Sequence, residues 1–257
     1  MRDVRQTAAG RRVNRLVGRA IVRYGLIGGG ERIAVGLSGG KDSLCLLWLL
    51  AERRARIPVN YELRAVHVGL GFPDEGEKGG KGGKGGKAGT AALEDFCRAL
   101  EVPLTIIRTD IGPRAHSERN RESPCFMCSG LRRQRLFEAA AELGCQKLAL
   151  GHHRDDIIHT FFLNVIYASE ISTMLPAQPL FGGRLTIIRP LALCDEDHLK
   201  RLAAELALPV IPSGCPTQCR SARAGVAELL APLWRGNRRL KGNVFRALSN
   251  VRLDYLP

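Results

Sequence analysis

The sequence predicts an α/β protein built on a parallel sheet with helices on both faces, a Rossmann-like architecture. Three observations lead there. Short apolar runs such as Ile33–Val35 and Leu148–Leu150 alternate with longer stretches that carry helical spacing. Both of these runs end in polar, glycine-bearing loops that open directly into a helix, the strand–loop–helix step of open α/β sheets. The chain has 257 residues, enough for one such domain with terminal additions.

The elements follow in order. Val13, Leu16, Val17, Ala20, Ile21 and Tyr24 recur at helical spacing and predict a first helix from Val13 to Tyr24. Ile33-Ala34-Val35 reads as a buried strand, and Leu44 to Leu50 as a buried helix ending near Arg53. Tyr61 to Val68 is the second strand. Glu77 to Lys87 is a Lys-Gly-Gly repeat that cannot pack a core, so residues 74–90 read as an insert. A helix is expected over Ala91 to Leu100, then a strand over Leu104 to Arg108. Arg132 to Leu143 reads as a helix, Lys147 to Leu150 as a strand, and Asp155 to Tyr167 as a helix. Leu185 to Ile188 is a further strand and Glu196 to Ala207 a further helix.

Val35-Gly36-Leu37-Ser38-Gly39-Gly40-Lys41-Asp42-Ser43 carries the most chemistry. Backbone N–H groups at a helix start have no intrahelical partner, and the helix dipole favours negative charge there. Gly39 and Gly40 let an oxyanion approach the backbone, Lys41 adds a cation, and Ser38 and Ser43 add hydroxyls. The loop is suited to phosphate. It departs from the Walker A pattern, because Val35 stands where the first glycine belongs and Asp42 follows the lysine. Ser-Gly-Gly-Lys-Asp-Ser instead resembles the PP-loop of ATP pyrophosphatases, and that resemblance implies cleavage of ATP between its α and β phosphates.

Gly151-His152-His153-Arg154-Asp155-Asp156 joins the Leu148–Leu150 run to a helix. One of its two acids is expected to cap that helix. Paired carboxylates also suit Mg²⁺ held together with phosphate oxygens. Pro124-Cys125-Phe126-Met127-Cys128 is a Cys-x-x-Cys pair that suits zinc, an iron–sulfur cluster or dithiol chemistry. Further cysteine candidates lie in Cys215-Pro216-Thr217-Gln218-Cys219. Cys45, Cys97, Cys145 and Cys194 sit in apolar runs and read as buried small hydrophobes.

The formal net charge is +14. Eight arginines among the first 32 residues face only Asp3 and Glu31, and a second basic stretch contains Arg235, Arg238, Arg239, Lys241 and Arg246. Such charge favours a polyanionic partner. No run of about 18 apolar residues is present to span a membrane, and no apolar signal region follows the N-terminal arginines, so a cytoplasmic protein is expected.

These motifs, read together, resemble the TtcA family of tRNA 2-thiocytidine synthetases, from about Arg11 to Leu230. The resemblance includes Leu37 to Ser43, Pro124 to Arg133, Ala149-Leu-Gly-His-His-Arg-Asp-Asp-Ile, Ile188-Arg-Pro-Leu-Ala-Leu-Cys-Asp-Glu and Ile211-Pro-Ser-Gly-Cys-Pro-Thr-Gln. It implies a PP-loop (HUP-like) fold and a tRNA sulfurtransferase using ATP, Mg²⁺ and a 4Fe–4S cluster. Ser38 to Ser43, Gly151 and His152 would bind the nucleotide. Lys41, Asp42, Asp155 and Asp156 would carry the catalysis. Cys125, Cys128 and Cys215 would hold the cluster. Tyr61–Val68 leads into His67-Val68-Gly69-Leu70-Gly71-Phe72 where the family has an Asn-Leu-Asp-like turn. The later cysteine segment reads Cys-Pro-Thr-Gln where the family has Cys-Gly-Ser-Gln, and Cys219 is the competing third ligand. Implied partners are tRNA, a sulfur donor of the cysteine desulfurase type and a second copy of the chain, with no membrane. The expected division is a basic N-terminal helical segment (1–29), the PP-loop domain (30–194) and a C-terminal helical segment (195–257) that supplies the third cysteine. Alternatives are another PP-loop tRNA-modifying enzyme, such as one making 2-thiouridine, or a non-catalytic metal-binding RNA-binding protein.

Overall fold

Six strands pair in the order β3-β2-β1-β4-β6-β5 in the computed structural model, which describes residues 7–72, 87–211, 214–216 and 222–255. The strands are β1 (Glu31–Gly36), β2 (Tyr61–Gly69), β3 (Leu104–Arg108), β4 (Lys147–Ala149), β5 (Ala177–Leu180) and β6 (Leu185–Ile188). All neighbours are parallel except β5, which runs antiparallel to β6 at the edge. The helices are α1 (Ala8–Tyr24), α2 (Lys41–Arg54), α3 (Lys87–Ala99), α4 (Ile111–Ala115), α5 (Pro124–Glu142), α6 (Arg154–Leu163), α7 (Glu196–Glu205), α8 (Ala222–Gly236) and α9 (Arg238–Ala247). The expected α/β class and the parallel character of the sheet both hold.

Strand alternation feeds two cores. Ile33 and Val35 of β1 face one cluster, shared with α1, α2, α3 and α7, while Ala34 faces another, shared with α5. Every residue from Ser43 to Ala51 is buried, so α2 is a central helix, apolar on all sides. Arg53 closes its end by donating to Asn14 Oδ1 at 2.7 Å, which ties α2 to α1. Val13, Val17, Ala20 and Ile21 of α1 are buried, and Arg11, Arg12, Arg15 and Arg19 lie on its exposed face. A third cluster joins Ile158 of α6 to Val226 and Leu230 of α8. No helix among the described residues is long and apolar enough to cross a membrane.

Several boundaries differ from expectation. α1 starts earlier than Val13, because Thr7 caps it by accepting from Gly10 N at 2.9 Å. α5 starts at Pro124 rather than Arg132, so the Cys-x-x-Cys pair lies within its first two turns; Ser123 caps it by accepting from Phe126 N. The helix expected to reach Tyr167 is α-helical only to Leu163 and widens into a π turn over Asn164–Ala168. β5 is an element the periodicity did not reveal. Residues 74–86 of the Lys-Gly-Gly insert, and Cys219, fall outside the described residues.

Leu47→Ala in α2 is expected to lower stability by about 2–5 kcal/mol, since it leaves a cavity in the larger core. Denaturant unfolding of the two proteins measures it.

Candidate functional site

β1 and β4 are neighbours in the centre of the sheet, with Val35 paired to Ala149, so the loops that follow them meet at one crevice. That crevice, at the carboxyl ends of parallel strands, is where such folds bind ligands. Gly39 has φ +82°, a conformation glycine adopts without strain. Ser43 Oγ lies 3.0 Å from Ser38 Oγ, donates to Gly40 O at 2.9 Å and accepts from Ser38 N at 3.1 Å, which closes the loop on itself. Gly40 caps α2 without a side-chain bond. Gly151 packs against the start of α2 so tightly that a Cβ would stand 3.0 Å from Ser43 N. Glycine there is a requirement of the close approach.

Lys41 Nζ pairs at 3.0 Å with both Asp42 Oδ2 and Glu196 Oε1. Burial disfavours its charge, but the two carboxylates outweigh that and hold its pKa above the ordinary lysine value. Burial pushes the Asp42 carboxyl up, and His153 and Lys41 only partly offset it. Asp42 Oδ1 is buried with no hydrogen-bond partner among the described residues.

Asp155 and Asp156 are engaged differently. Asp155 Oδ2 accepts from Glu196 N at 2.9 Å, and Oδ1 pairs with Lys241 of α9. Burial alone would raise its pKa; His153, Lys241 and the Glu196 N–H hold it well below the usual carboxylate range. Asp156 Oδ2 caps α6 by accepting from His153 N at 3.0 Å, and Oδ1 accepts from Arg223 of α8 at 3.1 Å. The capping role expected for one acid thus belongs to Asp156.

The two histidines face opposite fields. His153 Nδ1 lies 3.5 Å from Asp155 Oδ2, and its Nε2 lies 3.5 Å from Asp156 Oδ2 and 4.0 Å from Asp42 Oδ2. Burial opposes its charge, but these carboxylates raise its pKa above the ordinary value. His152 is lowered to about 4, first by burial and then by Arg189 and Arg223. Arg189 Nε donates to His152 Nδ1 at 3.3 Å, which leaves the proton of the neutral ring on Nε2. Arg189 also donates to Leu175 O and Gln178 Oε1. These buried bonds give Arg189 a structural pairing near the end of β6.

Cys125 is exposed, and Cys128 and Cys215 are partly so. Cys128 is raised by burial, drawn back down by Arg132, and raised again by Cys215 and Cys125, so each of the other two thiols lies within electrostatic reach of Cys128. Among the described residues no group of three or more His, Cys, Asp or Glu side chains is gathered tightly enough to hold a metal ion. The donor chemistry nevertheless suits both expected groups. Cysteine thiols are the donors iron–sulfur clusters take, and Arg132 lies in electrostatic reach of Cys128. The orphan Asp42 oxygen, together with phosphate oxygens, matches Mg²⁺. Cys45, Cys97, Cys145 and Cys194 are buried, as expected.

Three participants were not foreseen. Glu196 reaches Lys41, although only the Cys-Asp-Glu run at the start of α7 hinted at it. Arg223 and Lys241 come from the C-terminal helices and bind the acids of α6. Lys241 had been counted in a basic stretch turned toward RNA; it points inward, because Asp155 and Asp195 offer it a buried pairing. His67, in the departure after β2, is a structural donor whose Nδ1 lies 2.8 Å from Leu37 O.

A model of the PP-loop domain family matches residues 7–209. The tRNA-cytidine(32) 2-sulfurtransferase of Alkalilimnicola ehrlichii is 38% identical over 255 residues, covering 96% of this chain and 75% of that protein. Its counterpart in Syntrophotalea carbinolica is 38% identical over 249 residues, covering 96% and 91%. The solved structure of the U34-tRNA thiolase NcsA from Methanococcus maripaludis, with its 4Fe–4S cluster, aligns with a TM-score of 0.74 and 27% identity over 97% of this chain and 80% of that one.

Imidazole NMR should find His152 neutral down to about pH 4 and His153 still charged above the ordinary value of 6.5. The linkage signs are opposite. Stability contributed by neutral His152 is present above 6.5 and lost as pH falls toward 4; that from His153 is present below 6.5 and lost as pH rises through its elevated value.

Proposed function

The chain belongs to the PP-loop family and, within it, to the tRNA-cytidine(32) 2-sulfurtransferases, and we propose that it converts cytidine 32 of tRNA to 2-thiocytidine at the expense of ATP. The observation that carries this reading is the convergence of a phosphate loop and a second acidic loop on adjacent strand ends, in a chain that also couples Cys125, Cys128 and Cys215.

The chemistry has two stages. The cytosine C2 oxygen attacks the α-phosphorus of ATP and pyrophosphate leaves, which turns that oxygen into part of an adenylate. Sulfur then forms the new bond at C2 as AMP departs. The amides of Gly39 and Gly40 and the start of α2 orient the phosphates, and Lys41 stabilises charge that builds on them. Gly151 and His152 line the nucleotide side of the crevice. Asp42 is the carboxylate with an uncommitted oxygen and is assigned to Mg²⁺. Asp155 and Asp156, with both oxygens engaged, hold His153 and the helix starts in place. Cys125, Cys128 and Cys215 would hold the cluster, Cys215 being supplied by the 195–257 segment. Mg²⁺ would neutralise phosphate charge, and the cluster would supply the sulfur. Arg132 supplies positive charge beside the thiolates.

An anticodon-loop base suits this site, because a loop nucleotide can be splayed into a pocket at modest cost. The exposed Arg11, Arg12, Arg15 and Arg19 face is assigned to tRNA phosphates. The reading extends to a cysteine desulfurase as sulfur source, a homodimer and a cytoplasmic setting. A 2-thiouridine product is the second reading, favoured by the likeness to a U34-tRNA thiolase.

Two outcomes test the reading. Wild-type protein with tRNA should release pyrophosphate from ATP, and mass spectrometry of the product nucleosides should show 2-thiocytidine; Lys41→Ala should abolish both while unfolding normally. 2-Thiouridine in place of 2-thiocytidine would transfer the function to the second reading. Cys125→Ala, Cys128→Ala and Cys215→Ala should each lose iron and thiolation, and Cys219→Ala should retain both, because three thiolates leave one iron open where four would close it. Iron content per chain decides this, and loss on Cys219→Ala with retention on Cys215→Ala would exchange the two ligands.

A further inference from the structure

Lys241 lies outside the matched PP-loop residues, yet it is three contacts from the phosphate-loop lysine. Its Nζ pairs with Asp155 Oδ1, at the start of α6, and lies 3.6 Å from Oδ1 of Asp195, the residue that precedes α7. Asp155 Oδ2 in turn accepts from Glu196 N at 2.9 Å, and Glu196 Oε1 holds Lys41 Nζ at 3.0 Å. The cation therefore staples two helix starts that both face the crevice. Its side chain is largely buried, so this pairing is its main environment.

The neighbourhood keeps α9 in register with this pairing. Arg154 Nε donates to Asp195 Oδ1 at 2.7 Å, and the same guanidinium lies 6.0 Å from the Phe245 ring, one turn along α9 from Lys241. A long lysine such as Lys41 has many rotamers. Fixing it before ATP arrives keeps its charge where phosphate oxygens come in, and small displacements of such groups are costly to rate.

We propose that Lys241 is a positioning residue for the adenylation step: through Asp155 and Asp195 it sets the first turn of α7, so that Glu196 presents Lys41 to the phosphates. This rests on the ATP-cleaving reading above. A purely structural Lys241 would hold α9 down and do nothing else.

Those two roles are separable. Lys241→Met keeps most of the side-chain volume and removes the charge. It is expected to raise KM for ATP or lower kcat for pyrophosphate release by about tenfold or more, with iron content and tRNA binding at wild-type levels. Lys241→Arg, which can still reach both carboxylates, should recover most of the loss. Combining Lys241→Met with Asp155→Asn should be no worse than Asp155→Asn alone, because both act along one path. Val244→Ala loosens the same helix where it packs against the Ile158, Val226 and Leu230 cluster, without touching the ion pairs; it should lower Tm and leave KM and kcat near wild type. Unchanged kinetics in a folded Lys241→Met would overturn the role. So would an equal kinetic loss in Val244→Ala, or additive effects with Asp155→Asn. Absence of pyrophosphate release from the wild type itself would instead fall on the adenylation reading, and take the role with it.

Discussion

Charge compensation where three helices begin is the constraint on which the rest of the structure depends. α2, α6 and α7 all start at the crevice, and Asp42, Asp155, Asp156 and Asp195 stand at or beside those starts. The helix dipoles favour carboxylates there, but four of them close together and partly buried repel one another. Lys41, His153, Arg154, Arg223 and Lys241 are interleaved to prevent this. A buried ion pair adds little net stability, whereas breaking one leaves a costly unpaired charge. The site is therefore held to one arrangement more than it is stabilised by it. Within this site, Asp42 Oδ1 and His153 Nδ1 are buried without a hydrogen-bond partner among the described residues. The Asp42 oxygen, an acceptor beside the phosphate loop, is suited to a cation.

The parts of this site legible in the sequence were those encoded locally. The Ser38–Ser43 loop, the Gly151–Asp156 loop and the Cys125/Cys128 pair each occupy a few consecutive residues, and strand–loop–helix context places them at strand ends. Glu196, Arg223 and Lys241 were not legible, because their partners lie 155, 67 and 86 positions away in sequence and no periodicity links such pairs. Charge counting even misdirected Lys241, since a sum over a basic stretch does not distinguish outward from inward side chains. The same limit explains β5. Ala177–Leu180 is four residues long and contains Pro179, which reads as a break and is tolerated because the strand is at an edge. The start of α5 was readable in principle. Ser123 and Pro124 are a cap and a first-turn proline, signals that extend the helix expected from Arg132 back over the cysteines.

That correction to α5 changes the chemistry of the cysteines. Positions 125 and 128 are three apart, so in a helix they share one face. Cys125 lies in the first turn and Cys128 opens the second, so the positive end of the α5 dipole is close to both. Burial raises the Cys128 thiol, and the Arg132 guanidinium, itself lowered by burial, partly offsets this. A loop would have supplied the same two sulfurs without this field. The helix start holds them on one face, toward which a third thiol can be brought.

Cys215 is brought there by a route that begins on the phosphate loop. Ile211 N donates to Gly39 O at 2.9 Å, and the Ile211 side chain occupies the space beside Gly39, 3.2 Å from where a Cβ would stand. Gly39 thus serves two backbones at once: its positive φ shapes the loop for an anion, and its bare Cα admits the segment that leads to Cys215. Beyond Cys215, Arg223 binds Asp156 and Thr160 of α6, so the chain returns to the second acidic loop. In sequence, Cys215 thus lies between two anchors, Ile211 on the phosphate loop and Arg223 on the second acidic loop. A change at Gly39 or at Asp156 acts on one of those anchors as well as on the crevice itself, so the two loops that form the crevice also bound the stretch of chain that bears this thiol.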